Sequence, residues 1–141
     1  MTPEQVTLIR TSWRQVIPVA ATAAGLFYEQ LFALDPTLRP LFAHADMEQQ
    51  GKKLLQALGT VVASADRLHT LGPALEDLGR KHLAYSVAER HYDTVGAALL
   101  ATLATALGDG FTAPLRQAWA EAYAGVTGLM LAGARRGHQA A

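Results

Sequence analysis

Nearly every stretch of this chain repeats its apolar residues at intervals of three and four, and no stretch of useful length alternates at the period of two that a strand requires. A chain so patterned buries its core by packing helix on helix. The punctuation agrees. Thr2-Pro3-Glu4-Gln5 offers a capping threonine, a proline for the first turn and a glutamine three residues after the cap. The helix that follows carries Val6, Ile9, Trp13 and Val16 inward and stops at Pro18. A second helix is expected from about Val19 to Leu34, with Ala24, Phe27, Tyr28 and Leu31 on one side. Gly25 within it costs roughly 1 kcal/mol of propensity, which suggests a close approach by a neighbouring helix. Asp35-Pro36 caps a short third helix holding Leu38, Leu41 and Phe42, and Asp46 with Gln49 starts a fourth that runs to about Ala65. Gly72-Pro73 opens a fifth. The next, from about Ala88 to Leu107, aligns Val95, Leu99 and Leu103 and ends at Gly108-Asp109-Gly110. Thr112 caps the last helix, which presents Leu115, Trp119, Ala122, Val126 and Leu129, and Ala134 to Ala141 reads as a frayed tail.

The pattern describes one all-α domain over residues 1–141, large enough to bury about two-thirds of its unfolded surface. Formal net charge is zero, so the chain has no electrostatic footprint for nucleic acid or anionic membrane. Cysteine is absent, which removes disulfides, thiolate metal sites, Fe–S clusters and cysteine nucleophiles together. There is no His-Glu-x-x-His, no Glu-x-x-His, no Gly-rich phosphate loop and no Gly-x-Ser-x-Gly elbow. Met1-Thr2-Pro3-Glu4-Gln5 lacks the basic and apolar regions of a signal peptide, and no uninterrupted apolar run reaches the length of a span. A cytoplasmic location without a membrane span is the expectation.

One polar residue stands out against these apolar stripes. His82 continues Leu75 and Leu78 and is followed by Tyr85, while Gln50, Leu54, Leu58 and Val61 repeat the same period on a helix upstream. A histidine facing an apolar helix across a gap lined by Phe and Leu is what holding a haem requires. The imidazole supplies one axial nitrogen, and the opposite helix leaves the other axial position to a small ligand. Each residue also has a plainer reading. A lone histidine on an apolar face is more often a satisfied core residue, Tyr28 alone an ordinary half-buried tyrosine, and Gln50 alone a solvated helix residue. Phe42, Leu54 and Leu58 are core residues under either reading.

Order and spacing add weight that the single residues lack. Leu26-Phe27-Tyr28-Glu29-Gln30-Leu31-Phe32, Pro36-Thr37-Leu38-Arg39-Pro40-Leu41-Phe42, Gln50-Gly51-Lys52-Lys53-Leu54, Gly79-Arg80-Lys81-His82 and His91-Tyr92-Asp93-Thr94-Val95-Gly96 occur in that sequence. From about Met1 to Gly133 the chain thereby resembles the globin family, closest to bacterial single-domain haemoglobins and the globin half of flavohaemoglobins. Asp93 stands where the family's HYPxVG has proline. The resemblance implies a three-over-three helical sandwich around haem b (iron protoporphyrin IX). Matched residue by residue, it makes His82 the proximal iron ligand, Phe42 the aromatic stacked on the haem, and Tyr28 with Gln50 the distal polar pair. Leu54 becomes the distal wall and Tyr92 the tyrosine beside the proximal histidine. Leu58, Lys53, Leu78 and Val87 complete the pocket; Lys52-Lys53 and Arg80-Lys81 read as exposed faces, one cation of which can pair with a propionate.

The chemistry of those roles follows from the residue types. Iron needs a neutral imidazole, and the carbonyl near Leu78, one turn back, is the natural acceptor to fix its tautomer. Bound O₂ carries partial superoxide charge, and the Tyr28 hydroxyl and Gln50 amide can both donate to it. Each bond is worth about 1–1.5 kcal/mol, together roughly a hundredfold in affinity. CO gains less. His44, His69, His91 and His138 lie near loops or termini; of these, His44 sits on a corner from which it can swing inward.

The chain departs from flavohaemoglobins at the late glutamate of the last helix, which here corresponds to about Ala134. Glu121 lies more than three turns earlier, so the proximal push that supports peroxidase-like chemistry loses its carboxylate. The reductase half is expected to be a separate partner. Three functions follow from the resemblance: a reversible O₂-binding haemoglobin that also takes CO and NO, a nitric oxide dioxygenase served by an external reductase, and a gas-sensing or interaction globin. The third is weakest, since no output domain is appended. Tyr28 with Gln50 serves the first two equally; oxygen binding, with oxygen transport, is the favoured molecular activity and nitric oxide detoxification the favoured use.

Overall fold

Helix α1 (Pro3–Val16) starts under the cap read from the sequence. The Thr2 hydroxyl accepts from the Gln5 amide at 3.1 Å, and the Gln5 side chain accepts from the Thr2 amide at 2.9 Å. A 3-10 turn at Ile17–Val19 carries Pro18 and leads into α2 (Ala20–Leu34). Asp35 then accepts from the Thr37 amide at 3.0 Å and opens Pro36–Phe42, which winds as a 3-10 helix. Pro40 inside it has no N–H to give to the carbonyl four residues back, so a longer α-turn has no support there. The Asp46 carboxylate caps α3 (Met47–Ala63) by accepting from the Glu48 and Gln49 amides. After another 3-10 turn at Leu68–Leu71 come α4 (Gly72–Ala84), α5 (Glu89–Leu107) and α6 (Ala113–Ala140). Gly108, at φ +56°, makes the left-handed turn that ends α5. The computed structural model describes residues 1–84 and 89–140, with side chains described outside 83, 84, 89 and 136–140.

Helices α1, α4 and α5 pack on α6, α2 packs on α3 and α5, and α1 also meets α3 and α5, an all-α arrangement as expected. The core divides into two clusters. The larger gathers Ile9, Phe27, Leu31, Val62, Leu99, Leu103 and Trp119. The smaller gathers Leu75, Tyr92 and Met130, with Leu78, Val126 and Leu129 half-buried against it. Ser12 is buried in the larger cluster yet satisfied: it accepts from the Trp119 indole at 3.0 Å and donates to the Ile9 carbonyl at 2.9 Å.

One sequence-based expectation changes here. Gly25 is exposed, with nothing near the place a Cβ would take; the close approach of α2 and α3 falls one residue away, where a Cβ on Gly51 would stand 3.2 Å from the Ala24 Cβ. Helix α6 runs to Ala140 through Gly133, which is buried against the Glu76 backbone of α4. Pro3–Leu34, counted as one stretch through the turn at Pro18, is the one among the described residues long and apolar enough by length and composition to cross a membrane. Its apolarity has a use inside the fold, since Ala23, Ala24, Phe27 and Leu31 are buried in the core.

The two glycines generate opposite expectations. Gly51→Val overpacks the Ala24 contact and should lower stability by about 1–3 kcal/mol. Gly25→Ala should raise it by up to about 1 kcal/mol through helix propensity. Urea unfolding measures both, and a similar loss in the two variants would place Gly25 at a close contact after all.

Candidate functional site

Helices α2 and α3 and the corner between them assemble one wall. The Tyr28 ring meets Phe27 edge-on at 5.1 Å and Phe42 at 5.7 Å, and Phe42 in turn meets Phe32 at 5.5 Å. The Arg39 guanidinium closes the outer side of this cluster, 4.7 Å from the centre of the Phe32 ring. The Tyr28 hydroxyl donates to the backbone carbonyl of Gln50 at 3.2 Å. Burial pushes its pKa upward, so the phenol stays neutral with its proton in place. Its one proton is therefore engaged, and the bond expected toward a ligand would have to replace the one to Gln50. Gln50, Leu54 and Leu58 are half-buried. Behind Leu54 and Leu58 lies a small apolar cavity of about 20 Å³, bordered also by Trp13, Phe27, Leu99 and Leu103. Thr102 on its lining donates its hydroxyl to the Ala98 carbonyl, so the cavity offers little to hold a water. Lys53 is exposed, off this wall.

The second wall belongs to α4. His82 is half-buried, and its Nδ1 lies 2.8 Å from the Leu78 carbonyl oxygen. A carbonyl can only accept, so Nδ1 carries a proton, and in the neutral ring the lone pair then lies on Nε2. That is the tautomer a metal ligand needs. Leu78 packs with Leu75, Tyr92 and Met130 in the smaller cluster. Tyr92 is buried, and its backbone carbonyl accepts from the Tyr123 hydroxyl of α6. Burial pushes the Tyr123 pKa up, with Tyr92 and Asp93 adding to the shift, and its ring packs so closely on Gly96 that a Cβ there would meet it. Sequence reasoning missed Tyr123, whose spacing on α6 looks like that of any half-buried tyrosine. Tyr85 and Val87 lie outside the described residues.

Other expected positions fall elsewhere. Ala134 is half-buried on α6, whereas Glu121 accepts from Gln5 and Gln117 and so ties α6 to α1. His44 and His69 are exposed. His91, in the first turn of α5, is buried, and that burial lowers its pKa, with Arg90 adding and Asp35 opposing.

The two walls stand on different parts of the core. Tyr28, Phe42, Leu54 and Leu58 pack on the larger cluster and Leu78 on the smaller, while α4 rests chiefly on α6 and α3 on α2 and α1. Each wall leaves apolar side chains only partly covered, and the α4 wall adds the His82 imidazole, held at its Nδ1 by the Leu78 carbonyl. This donor set fits a flat, largely apolar group that takes one axial nitrogen from the protein, as haem does.

Residues 25–130 match the family model for globins. The chain is 32% identical over 146 residues to neuroglobin-1 of Oncorhynchus mykiss, an alignment spanning 94% of this chain and 92% of that one. The chain belongs to the globin family. Haem binding and the binding of diatomic gases come with that membership. This globin is also 32% identical over 139 residues to neuroglobin of Danio rerio, covering 89% and 87% of the two chains. To the flavohemoprotein of Vibrio cholerae it is 29% identical over 125 residues, 87% of this chain but 32% of that protein.

The Leu78 contact makes a prediction that needs no haem. Imidazole ¹⁵N shifts of the haem-free globin should report His82 protonated at Nδ1 when neutral. A neutral ring protonated at Nε2 would mean that the Leu78 carbonyl does not hold it.

Proposed function

We propose that this globin holds haem b through His82 and binds O₂ reversibly, with CO and NO as further ligands, on the side lined by Tyr28, Gln50 and Leu54. The observation that carries this reading is the His82 ring, its Nδ1 engaged by the Leu78 carbonyl and its Nε2 left to bond. Haem, when bound, would supply an iron that the His82 imidazole can ligate and that can take up a gas. The chain's own residues do the rest. Phe42, braced edge-on by Tyr28 and Phe32, offers an apolar ring to the haem face. Leu54 and Leu58 exclude water, and Lys53, exposed and off that wall, has no part in this reading. The Gln50 amide donates to a gas that draws electron density when it binds. Tyr28 contributes less, because its hydroxyl gives up the Gln50 carbonyl to make a new bond.

The protein should purify with b-type haem, and His82→Ala should lose it or hold it weakly; a stoichiometric, unchanged ferrous–CO spectrum in that variant would make another residue the ligand. Gln50→Ala should raise the O₂ dissociation rate about tenfold, the value of one lost hydrogen bond. Tyr28→Phe should raise it less, and CO dissociation should change little in either. Equal effects on the two gases in stopped-flow replacement would mean that these residues act through packing or access.

The similarity to a flavohemoprotein favours a second reading, nitric oxide dioxygenase, in which NO, O₂ and one electron give nitrate. The electron would come from a separate reductase, and the cytoplasm is the proposed setting. Oxygenated protein should convert NO to nitrate once, and repeatedly only when NADH is supplied together with a flavin reductase. Steady nitrate production from NADH alone would remove the need for a partner, and oxygenated protein inert to NO would leave binding as the sole activity.

A further inference from the structure

Helices α4 and α6 meet backbone to backbone, through a pair of glycines that the pocket roles do not use. A Cβ on Gly79 would fall within the Met130 carbonyl oxygen and 2.8 Å from the Met130 Cα. A Cβ on Gly133 would fall within the Glu76 carbonyl oxygen and 2.5 Å from the Glu76 Cα. Glu76 and Gly79 on α4 thus lock against Met130 and Gly133 on α6 with the same spacing of three on each helix. The obstacle at both places is main chain, which has no rotamer by which to yield. The amide of Gly79 and the carbonyl of Leu78 belong to one peptide unit, and that carbonyl holds His82 Nδ1 at 2.8 Å.

We infer that Gly79 and Gly133 are positioning residues for His82, setting how deeply the Leu78–Gly79 peptide sits on α6 and thereby where the imidazole points. The inference rests on His82 as the iron ligand. A methyl on Gly79 lifts that peptide from α6, and the ring follows through its Nδ1 bond. Gly128, on the same helix with nothing near its added Cβ, serves as the control.

The test loads haem into the wild type, Gly79→Ala, Gly133→Ala, Gly128→Ala and His82→Ala, and records the iron–histidine stretching band of the ferrous, gas-free forms by resonance Raman. In Gly79→Ala and Gly133→Ala the band should move beyond its wild-type width. Haem transfer to a scavenging protein should also quicken by about 10- to 100-fold, as loss of an orienting partner does. Gly128→Ala should match the wild type. Should Gly79→Ala fail to fold, Gly133→Ala carries the same prediction from the other helix. A glycine variant that melts earlier while keeping the wild-type band and transfer rate would make the contact structural and overturn the inference. Failure of the functional reading looks different: His82→Ala would then retain the band. The ¹⁵N signature of His82 in haem-free Gly79→Ala, expected to lose its wild-type Nδ1 shift, would still judge the clasp.

Discussion

The 28 residues of α6 pass through both hydrophobic clusters, the larger carrying the tyrosine wall and the smaller the α4 residues beside His82. Leu115, Ala118, Trp119 and Ala122 anchor its first half in the larger cluster. Met130, with Val126, Leu129 and Leu131 around it, anchors the second half beside α4. A straight helix of this length extends about 42 Å, enough to hold two core clusters apart without either wall leaning on the other. The buried bond from Trp119 to Ser12 fixes its attachment to α1, because a mispaired indole N–H in that cluster would lose its only acceptor.

The two walls are built from different materials. On the histidine side the decisive contacts are main chain against main chain at Gly79 and Gly133 and main chain to ring at Leu78. On the tyrosine side they are rings packed edge-on, half-buried leucines and a small apolar cavity. Aromatic edges and leucine rotamers can shift by fractions of an ångström with little loss, whereas a helix pressed on another helix's carbonyl cannot. Gas affinity is therefore open to adjustment by side-chain substitution at Gln50 or Leu54, while the histidine keeps one geometry.

Caps and apolar faces were legible in the sequence because each has a local cause. The Thr2–Gln5 box, the Asp35 and Asp46 caps and the break at Pro18 all act within a few residues of themselves. The acceptor for His82 was legible for the same reason, lying one turn back on the same helix. Glycines were not. Gly25, Gly51, Gly79 and Gly133 all interrupt helical patterns alike, and what separates an exposed glycine from a pressed one is the neighbour, which belongs to another helix. The engagement of the Tyr28 hydroxyl by a main-chain carbonyl was also invisible, since every residue has such a carbonyl and only the crossing of α2 and α3 selects the one at Gln50.

That crossing ties the glycine at Gly51 to the chemistry at Tyr28. Gly51 lets α3 lie close to α2 at Ala24, and the carbonyl of Gln50 belongs to the same peptide unit as the Gly51 amide. The peptide that accepts from the Tyr28 hydroxyl is thus held in place by a helix contact one turn before Tyr28. On the histidine side the arrangement is parallel: the Leu78–Gly79 peptide accepts from His82 and is held by the glycine's contact with α6. In both walls a glycine lies at a helix contact, against the Ala24 Cβ at Gly51 and against main chain at Gly79, and the carbonyl preceding that glycine engages a polar side chain of the pocket. The orientation of each polar group is consequently coupled to a helix crossing, and the crossings, set by close backbone approach, are the least adjustable parts of a helical core.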